Sequence, residues 1–210
     1  MLGVIGMDEA GRGAWAGPVL CAALYLAPGT RLPAGIKDSK QLTLKQREAF
    51  FEKILQKCPH GIGLASAQEV DDLGLIRATE RAFERALQAL PYKGEAQLWV
   101  DGKDKFIFSR PHTSLIRGDQ KMRAISAASI LAKVYRDRLM LAQAKNFPDY
   151  DFELHKGYGT ARHQKALQKK GLCSIHRRSY APLRAFIFAE TSIMASMDSP
   201  QSPQKDFKKE

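Results

Sequence analysis

Two apolar segments near the start of the chain, residues 3–8 and 18–26, are separated by a short glycine-containing loop, and this arrangement restricts the fold more than any other feature. Each segment has the composition of a buried β-strand, and the second is too short to cross a membrane. The short connection favours pairing of the two strands. The first strand is expected to end at Asp8 and Glu9, which places an acidic pair at the end of a buried strand.

The rest of the chain predicts three further strands and a series of helices. Strands are expected at residues 61–66, 97–101 and 113–116. Because strands cluster early and helices dominate later, the sequence predicts an α/β or α+β protein with a mixed sheet. The predicted helices are a segment capped by Thr43 and ending near Lys57, residues 67–90 with an interruption near Gly74, a long helix from Asp119, a helix capped by Thr160 and ending near Lys170, and residues 183–193.

The chain carries 33 Lys and Arg residues against 22 Asp and Glu residues, a formal net charge of +11, and most of the excess lies in one segment. Residues 154–189 contain eight basic residues and no acidic residue. A solvated helix face normally mixes both signs, so this composition favours a surface that binds phosphates. Glycine and proline interrupt the segment, which disfavours a membrane-surface helix. We therefore expect a nucleic acid as partner and no membrane.

Missing motifs exclude several reaction classes. The chain has no GxxxxGK[ST] segment, so it is not a P-loop nucleotide hydrolase, and its five histidines show no HExxH spacing. Its three cysteines contain no CxxC pair, which argues against a disulfide framework or a zinc knuckle. We expect the cysteines to be buried as small apolar side chains. Trp15 and Trp99 lie in apolar segments and are expected in the core.

Four acidic residues occupy positions where α/β proteins collect catalytic groups. Asp8 and Glu9 end the first strand, Asp101 ends another apolar strand, and Asp119 opens a helix. Each has an ordinary interpretation as a turn residue or a helix cap. Together, in so basic a chain, they favour a site for hard divalent cations that bind phosphate. The residues alone therefore predict a metal-dependent nuclease or phosphotransferase.

Two glycine-containing motifs favour contact with a nucleic acid. Gly11, Arg12 and Gly13 follow the acidic pair directly; glycines allow close backbone approach to a sugar or phosphate, and the arginine can bind a phosphate. Tyr158 lies between two glycines just before a helix, and this setting predicts an exposed ring that stacks on a base or sugar. The alternative is a tyrosine packed under a turn.

These motifs together resemble the type 2 ribonucleases H, specifically bacterial ribonuclease HII, over about residues 3–188. The sequence departs from the family pattern at Ala14 and Trp15, where Pro-Leu is common, and at Leu73 and Gly74, where Ile-Asn is expected. The matching segments are Met7–Gly13, Ala16–Val19, Lys37–Leu42, Val100–Gly102, Gly118–Asp119, Ser126–Val134, Arg136–Asp137, His155–Thr160 and His176–Pro182.

The resemblance implies a ribonuclease H-like fold, with a mixed five-stranded sheet flanked by helices and a small helical C-terminal region. It implies hydrolysis of the RNA strand of RNA–DNA hybrids and a nick 5′ to ribonucleotides embedded in duplex DNA, leaving a 5′-phosphate and a 3′-hydroxyl. The implied cofactor is Mg²⁺ or Mn²⁺, with two ions during catalysis. By the same resemblance, the metal ligands and catalytic residues are Asp8, Glu9, Asp101 and Asp119, and the substrate-binding residues are Gly11, Arg12, Gly13, Tyr158 and Lys40.

Two other functions remain as alternatives. One is a DNA-processing nuclease of the integrase or resolvase kind, with the same fold and a different substrate. The other is a non-catalytic nucleic-acid-binding protein, in which the acids are only caps and turns. The co-occurrence of the four acids with the glycine loop and Tyr158 argues against the second, because binding alone does not require it. The subtype ribonuclease HIII is disfavoured. That subtype carries a Glu as its fourth acid and an extra N-terminal domain, whereas here the fourth acid is Asp119 and only seven residues precede Asp8.

The sequence also predicts how the chain is organised. A catalytic domain is expected over residues 1–194, with a helical substrate-binding region at about 154–194. Residues 195–210 have no net charge and the composition of a disordered tail. Without a signal or an anchor, the protein is expected to be cytoplasmic, and no segment indicates a dimer interface, so a monomer is expected.

Overall fold

The computed structural model of the 210-residue chain describes residues 2–36, 42–103, 106–107 and 109–187. Five strands form one sheet in the order β3-β2-β1-β4-β5. The pairs β1–β2 and β2–β3 are antiparallel, whereas β1–β4 and β4–β5 are parallel, so the sheet is mixed as the sequence predicts. The strands are β1 (Gly3–Ala10), β2 (Val19–Leu26), β3 (His60–Ala65), β4 (Ala96–Asp101) and β5 (Thr113–Leu115).

Helices cover both faces of this sheet. Short 3-10 helices at Pro148–Tyr150 and Ala181–Leu183 complete the described secondary structure, together with helical residues at 184–187. Among the described residues, none of the helices combines the length and the hydrophobicity that a membrane-spanning segment needs. The α-helices are α1 (Leu44–Lys57), α2 (Ala67–Ala89), α3 (Gly118–Lys121), α4 (Arg123–Asn146), α5 (Phe152–His155) and α6 (Ala161–Lys170).

Alternation along β1 divides the core into two layers. Ile5 and Met7 belong to a buried cluster with Phe83 of α2, while Ala10 belongs to a cluster on the opposite face with side chains of α1 and α4. Gly6 lets α4 approach β1 closely, because a Cβ there would lie 2.3 Å from the carbonyl carbon of Ala124. This approach brings the start of α4 against β1, while α3, which precedes α4, contacts the end of β4 through Gly118 and Asp101.

A third apolar cluster forms the C-terminal region on the second half of α4. It includes Met140, Phe152 and Leu167. Backbone hydrogen bonds join this region to the loop after β1, because Trp15 N–H donates to the Gly157 carbonyl at 2.8 Å and Arg177 N–H donates to the Trp15 carbonyl at 2.8 Å. The C-terminal region and the glycine loop are therefore held together directly.

The structure confirms the helix caps and the helix interruption that local sequence signals predict. The Thr43 hydroxyl accepts from Gln46 N–H at 3.3 Å in a capping box, as the predicted N-cap requires. Gly74 interrupts α2 with φ of 75°. Thr160 caps α6, which ends at Lys170 with Gly171 as its C-cap. The predicted tail at 195–210 and most of the predicted last helix lie outside the described residues.

Three expectations were wrong in detail. The strand β1 continues to Ala10, so Asp8 and Glu9 lie inside it. The long helix predicted from Asp119 is broken at Met122, whose backbone is extended with φ of −130°, so α3 and α4 are separate. Trp15 and Trp99 are only partly buried, as is Cys173 among the three free cysteines.

Candidate active site

Three of the predicted acids converge at one edge of the sheet. One carboxylate oxygen from each of Asp8, Asp101 and Asp119 lies within 4.8 Å of the others. Strand register explains the first two: Met7 of β1 pairs in parallel with Val100 of β4, so the next residue on each strand is an aspartate. Gly118 N–H donates to Asp101 Oδ1 at 2.6 Å, which fixes the start of α3 and so places Asp119 beside the strand ends.

The electrostatics of this cluster suit a cation. Asp8 and Asp119 are each only 7% exposed. Burial raises the pKa of Asp8 well above its usual value, and the negative charges of Glu9, Asp101 and Asp119 raise it further, against a lowering effect of the Glu9 N–H that donates to its Oδ1 at 2.7 Å. Carboxylate oxygens that repel one another in a buried setting are the donors that Mg²⁺ and Mn²⁺ prefer. The residues therefore fit a divalent metal ion.

Glu9, the fourth predicted acid, is not part of the cluster. Because side chains alternate along β1, Glu9 leaves the strand on the face of Ile5 and Met7, opposite to Asp8. Its Oε1 lies 3.6 Å from Nη1 of Arg12. The expectation that the strand end would relax this alternation fails because β1 continues through Glu9 to Ala10. Glu9 still influences the cluster through its charge, which raises the pKa of Asp8.

The predicted glycine loop and Tyr158 line one cavity, which also includes Glu9, the residue that follows Asp8 in β1. The cavity has a volume of about 470 Å³. Sequence reasoning did not single out Ser129 and Lys133, although they are one helical turn apart on α4 and present one face. The cavity is lined by Glu9, Ala10, Gly11, Arg12, Gly13, Ser129, Lys133 and Tyr158.

Gly11 and Gly13 of the loop differ in how much space the fold leaves for a side chain. Gly11 is buried with φ of 93°, and a Cβ there would lie 1.9 Å from Nε of Arg136. Gly13 is exposed, and a Cβ there would meet no heavy atom of the described structure within 4 Å. The fold therefore requires glycine at position 11, whereas it places no steric demand on position 13.

Arg136 and Arg177 are fully buried behind the loop and bind its carbonyl groups. Arg136 donates to the carbonyls of Pro18 at 3.0 Å, Ala16 at 3.1 Å and Lys156 at 3.0 Å. Arg177 donates to the carbonyls of Gly17 at 3.0 Å and Arg12 at 2.9 Å, and to the Tyr180 hydroxyl at 2.8 Å.

The burial of Arg177 corrects one expectation. The sequence predicts its charge on the phosphate-binding surface of residues 154–189, whereas the structure places it inside the protein. No sequence signal separates a buried arginine from an exposed one in this segment, because both occur among basic and small residues.

The Tyr158 ring is partly buried, not fully exposed as its glycine neighbours suggested. Lys133 Nζ lies 5.7 Å and Arg136 Cζ lies 5.3 Å from the ring centroid, within cation–π range. The flanking glycines allow close packing: a Cβ at Gly157 would lie 2.3 Å from the Ala16 carbonyl oxygen. The glycines therefore bring the tyrosine against the loop. Lys40, the remaining predicted contact, lies outside the described residues.

The mixed five-stranded sheet and the acid cluster at adjacent strand ends match what is expected of a nuclease with a ribonuclease H-like fold. The family model described as Ribonuclease HII matches residues 5–183. A Ribonuclease HII from Syntrophotalea carbinolica is 45% identical over 185 residues, covering 88% of each chain. A Ribonuclease HII from Chloroflexus aurantiacus is 46% identical over 183 residues, covering 85% of this chain and 86% of the relative.

A solved structure agrees with these relatives. The crystal structure of ribonuclease H2 from Pyrococcus horikoshii superposes with a TM-score of 0.76 at 28% identity, covering 90% of this chain and 98% of that one. The chain belongs to the ribonuclease HII family. It is a ribonuclease H, an enzyme that acts on RNA–DNA hybrids.

Proposed function

We propose that this ribonuclease H nicks duplex DNA on the 5′ side of an embedded ribonucleotide and leaves a 3′-hydroxyl and a 5′-phosphate. The observation that carries the proposal is the convergence of Asp8, Asp101 and Asp119 beside a cavity lined by the glycine loop and Tyr158. Cleavage chemistry and recognition of the ribonucleotide would then occur at one place. Such an activity would serve the removal of ribonucleotides from DNA.

The carboxylates would hold Mg²⁺ or Mn²⁺ ions. Asp8, Asp101 and Asp119 supply oxygen donors on one face of the sheet, and Glu9 adds a fourth negative charge from the opposite side of β1. When bound, a pair of divalent ions supplies activation of the attacking water and stabilisation of the leaving oxygen. The protein keeps its acids in place through the register of β1 with β4 and through the Gly118–Asp101 hydrogen bond.

The glycine loop would recognise the 2′-hydroxyl, the local group that distinguishes RNA from DNA. Gly13 supports this role because it lines the cavity and no heavy atom of the described residues lies within 4 Å of where its Cβ would be, so a sugar could approach its backbone. Tyr158 would stack on the deoxyribose at the junction that follows the ribonucleotide. Lys40 would contact a phosphate.

The C-terminal region would hold the duplex without reading its sequence. Six of the eight basic residues in 154–189 are exposed, and the exceptions are Lys156 and Arg177. Lys165, Lys169 and Arg178 are among the exposed ones. Because this region is joined to the glycine loop by backbone hydrogen bonds, we place both in one catalytic domain.

The test is cleavage of a DNA duplex that carries a single ribonucleotide, with Mg²⁺ or Mn²⁺. We expect a nick 5′ to the ribonucleotide, and we expect DNA ligase to reseal it only if the ends are a 3′-hydroxyl and a 5′-phosphate. Asp8→Asn and Asp101→Asn should abolish cleavage while duplex binding remains measurable. Each should also remove the rise in melting temperature that either metal gives the wild-type protein.

The matched control is Asp72→Asn, the same chemical change at an exposed residue of α2. It should leave both the nick and the metal response unchanged. Absence of a nick, or equal cutting of an all-DNA duplex, would contradict the proposal.

A further inference from the structure

Three buried histidines lie under the segment that carries Tyr158. His155, His163 and His176 are 8%, 0% and 2% exposed. The rings of His155 and His163 are stacked with centroids 4.5 Å apart, and Nε2 of His163 lies 2.9 Å from Nε2 of His176. This cluster is separate from the carboxylate cluster, and the proposed chemistry does not use it.

For His163 and His176, the hydrogen-bond partners determine which ring nitrogen carries the proton. Nδ1 of His163 lies 3.0 Å from the Tyr158 carbonyl oxygen, which only accepts, so this Nδ1 carries the proton. In the neutral ring Nε2 of His163 is then an acceptor, and His176 must donate from its own Nε2. Nδ1 of His176 in turn accepts from Cys173 N–H at 2.9 Å, which is nearer than the Cys173 carbonyl oxygen at 3.3 Å. The hydrogen bonds therefore run in one direction, from Cys173 to the carbonyl of Tyr158.

His155 holds the residue before the tyrosine. Gly157 N–H donates to Nδ1 of His155 at 3.2 Å. In the neutral His155 ring, Nε2 therefore carries the proton and donates to the Tyr150 carbonyl at 2.8 Å. The Gly157 carbonyl accepts from Trp15 N–H at 2.8 Å. Two neutral imidazole rings therefore hold the backbone around the Gly157–Tyr158 peptide. His155 accepts from the Gly157 N–H, and His163 donates to the Tyr158 carbonyl.

The surroundings keep the rings neutral. Burial, together with the proximity of another histidine, lowers the pKa of His163 and of His176 to about 4, although a backbone hydrogen bond acts to raise each. Burial also lowers the pKa of His155. The rings pack on Phe152 and, on the loop side, on the uncharged Trp15. The titratable groups that act on or contact the rings are Tyr150, Asp151, Glu153, Lys156, Cys173 and Arg178.

We propose that His163, linked to His176, is a positioning residue for Tyr158: its neutral ring fixes the carbonyl of that residue and so holds the tyrosine ring at the wall of the cavity. His163 is itself fully buried and touches no substrate, so it acts only through Tyr158. This inference rests on the proposed contact of Tyr158 with the junction that follows a ribonucleotide.

The rings can be tested first without any substitution. Long-range ¹H–¹⁵N NMR spectra of the wild-type protein distinguish the two neutral forms of histidine. We expect His163 protonated on Nδ1 and His176 protonated on Nε2, both neutral at pH 7. The opposite form on His163, or a charged ring there, would overturn the proposal.

Two substitutions separate the two sides of the His163 ring. His163→Asn keeps a donor where Nδ1 is, whereas His163→Gln keeps a polar group where Nε2 is. On the single-ribonucleotide duplex we expect His163→Gln to raise KM about tenfold with little change in kcat, because base or sugar stacking contributes about that factor to binding. His163→Asn should stay within about threefold of wild type, since it retains the hydrogen bond to the carbonyl. Equal behaviour of the two variants would overturn the proposal.

A double-substitution cycle with Tyr158→Ala tests whether His163 acts through the tyrosine. In that background His163→Gln should change KM by less than about twofold, because coupled residues are not additive. If the effects add, the inference fails while the proposed role of Tyr158 stands. If Tyr158→Ala alone changes nothing, the role of Tyr158 fails and the inference with it.

The matched control is His60→Gln. His60 is partly buried, its Nδ1 lies 3.2 Å from the Cys58 carbonyl, and it belongs to β3 at the far edge of the sheet. It should leave KM unchanged.

Discussion

Replacing the two glycines of the loop by alanine separates the needs of the fold from those of the substrate. At Gly13 a Cβ would meet no heavy atom of the described residues within 4 Å, and φ lies outside the left-handed region. Gly13→Ala should therefore change the free energy of unfolding by no more than about 1 kcal/mol, with a stabilising contribution from the restricted unfolded chain. For a protein of this length that corresponds to a shift of about 3 °C or less in melting temperature.

The substrate should respond differently to the same methyl group. If the loop backbone approaches the 2′-hydroxyl, a methyl group at position 13 keeps the sugar away and breaks a hydrogen bond. Leaving a polar group unpaired in a closed site costs about 1–3 kcal/mol. Because 1.4 kcal/mol is a factor of ten, kcat/KM for the single-ribonucleotide duplex should fall about tenfold or more.

Gly11→Ala should show the reverse order of effects. A Cβ would lie 1.9 Å from Nε of Arg136, whose guanidinium is fixed by three carbonyls, and φ of 93° is strained for alanine. Left-handed strain costs about 1–2 kcal/mol, and each hydrogen bond lost from a charged donor costs about 1.5–3 kcal/mol. A loss of about 3–5 kcal/mol should lower the melting temperature by about 10 °C.

Thermal unfolding followed by circular dichroism, together with steady-state cleavage of the single-ribonucleotide duplex, measures both effects in the same preparations. The reasoning predicts a Gly13→Ala protein that is stable and slow, and a Gly11→Ala protein that is unstable. A stable Gly13→Ala protein with wild-type kcat/KM would remove this position from substrate recognition. A large loss of stability in that variant would show that the steric account of the loop is wrong.

The other predictions concern the basic and histidine residues. Arg177→Gln should destabilise the protein by about 3 kcal/mol or more, because three hydrogen bonds from a buried cation are lost, yet leave the salt dependence of duplex binding unchanged. Lys169→Ala, at an exposed position, should instead reduce the slope of the logarithm of the duplex-binding constant against log salt concentration by about 0.9, without loss of stability. A change of this slope with Arg177→Gln would contradict the burial of Arg177. Urea unfolding should show stability falling between about pH 6.5 and pH 4, because burial holds the pKa of His163 and His176 at about 4 and the unfolded chain takes up protons first. The fall should be shallower in His163→Asn, and an unchanged pH dependence would refute it.

The sequence was sufficient where the structural cause is local. Thr43 predicts a helix start and Gly74 predicts an interruption, and both are confirmed because cap and turn chemistry act within a few residues. The acids at the ends of apolar strands could also be found, since parallel strands such as β1 and β4 end at the same edge. The family resemblance gave the mixed five-stranded sheet flanked by helices, whereas the order of the strands is known only from the structure.

The sequence was insufficient where the cause lies between distant segments. Whether an arginine is buried depends on which carbonyls surround it, and Arg177 binds a carbonyl 165 residues away. The position of Glu9 depends on how far β1 continues. The sequence gives no sign that the three histidines form a cluster, because their connection through Tyr158 and Cys173 exists only in the folded chain.

The loop after β1 is held from behind, and this determines which of its groups can meet a substrate. The carbonyls of Arg12, Ala16 and Gly17 point to buried guanidinium groups. The amides of residues 14–17 donate to the backbone carbonyls of Gly11, Gly157 and Ile175. Recognition of a 2′-hydroxyl by this backbone therefore falls to residues 11–13, which line the cavity. Since the loop is fixed before the substrate arrives, binding would require little ordering of the chain, and a displaced 2′-hydroxyl would not be accommodated by movement of the loop.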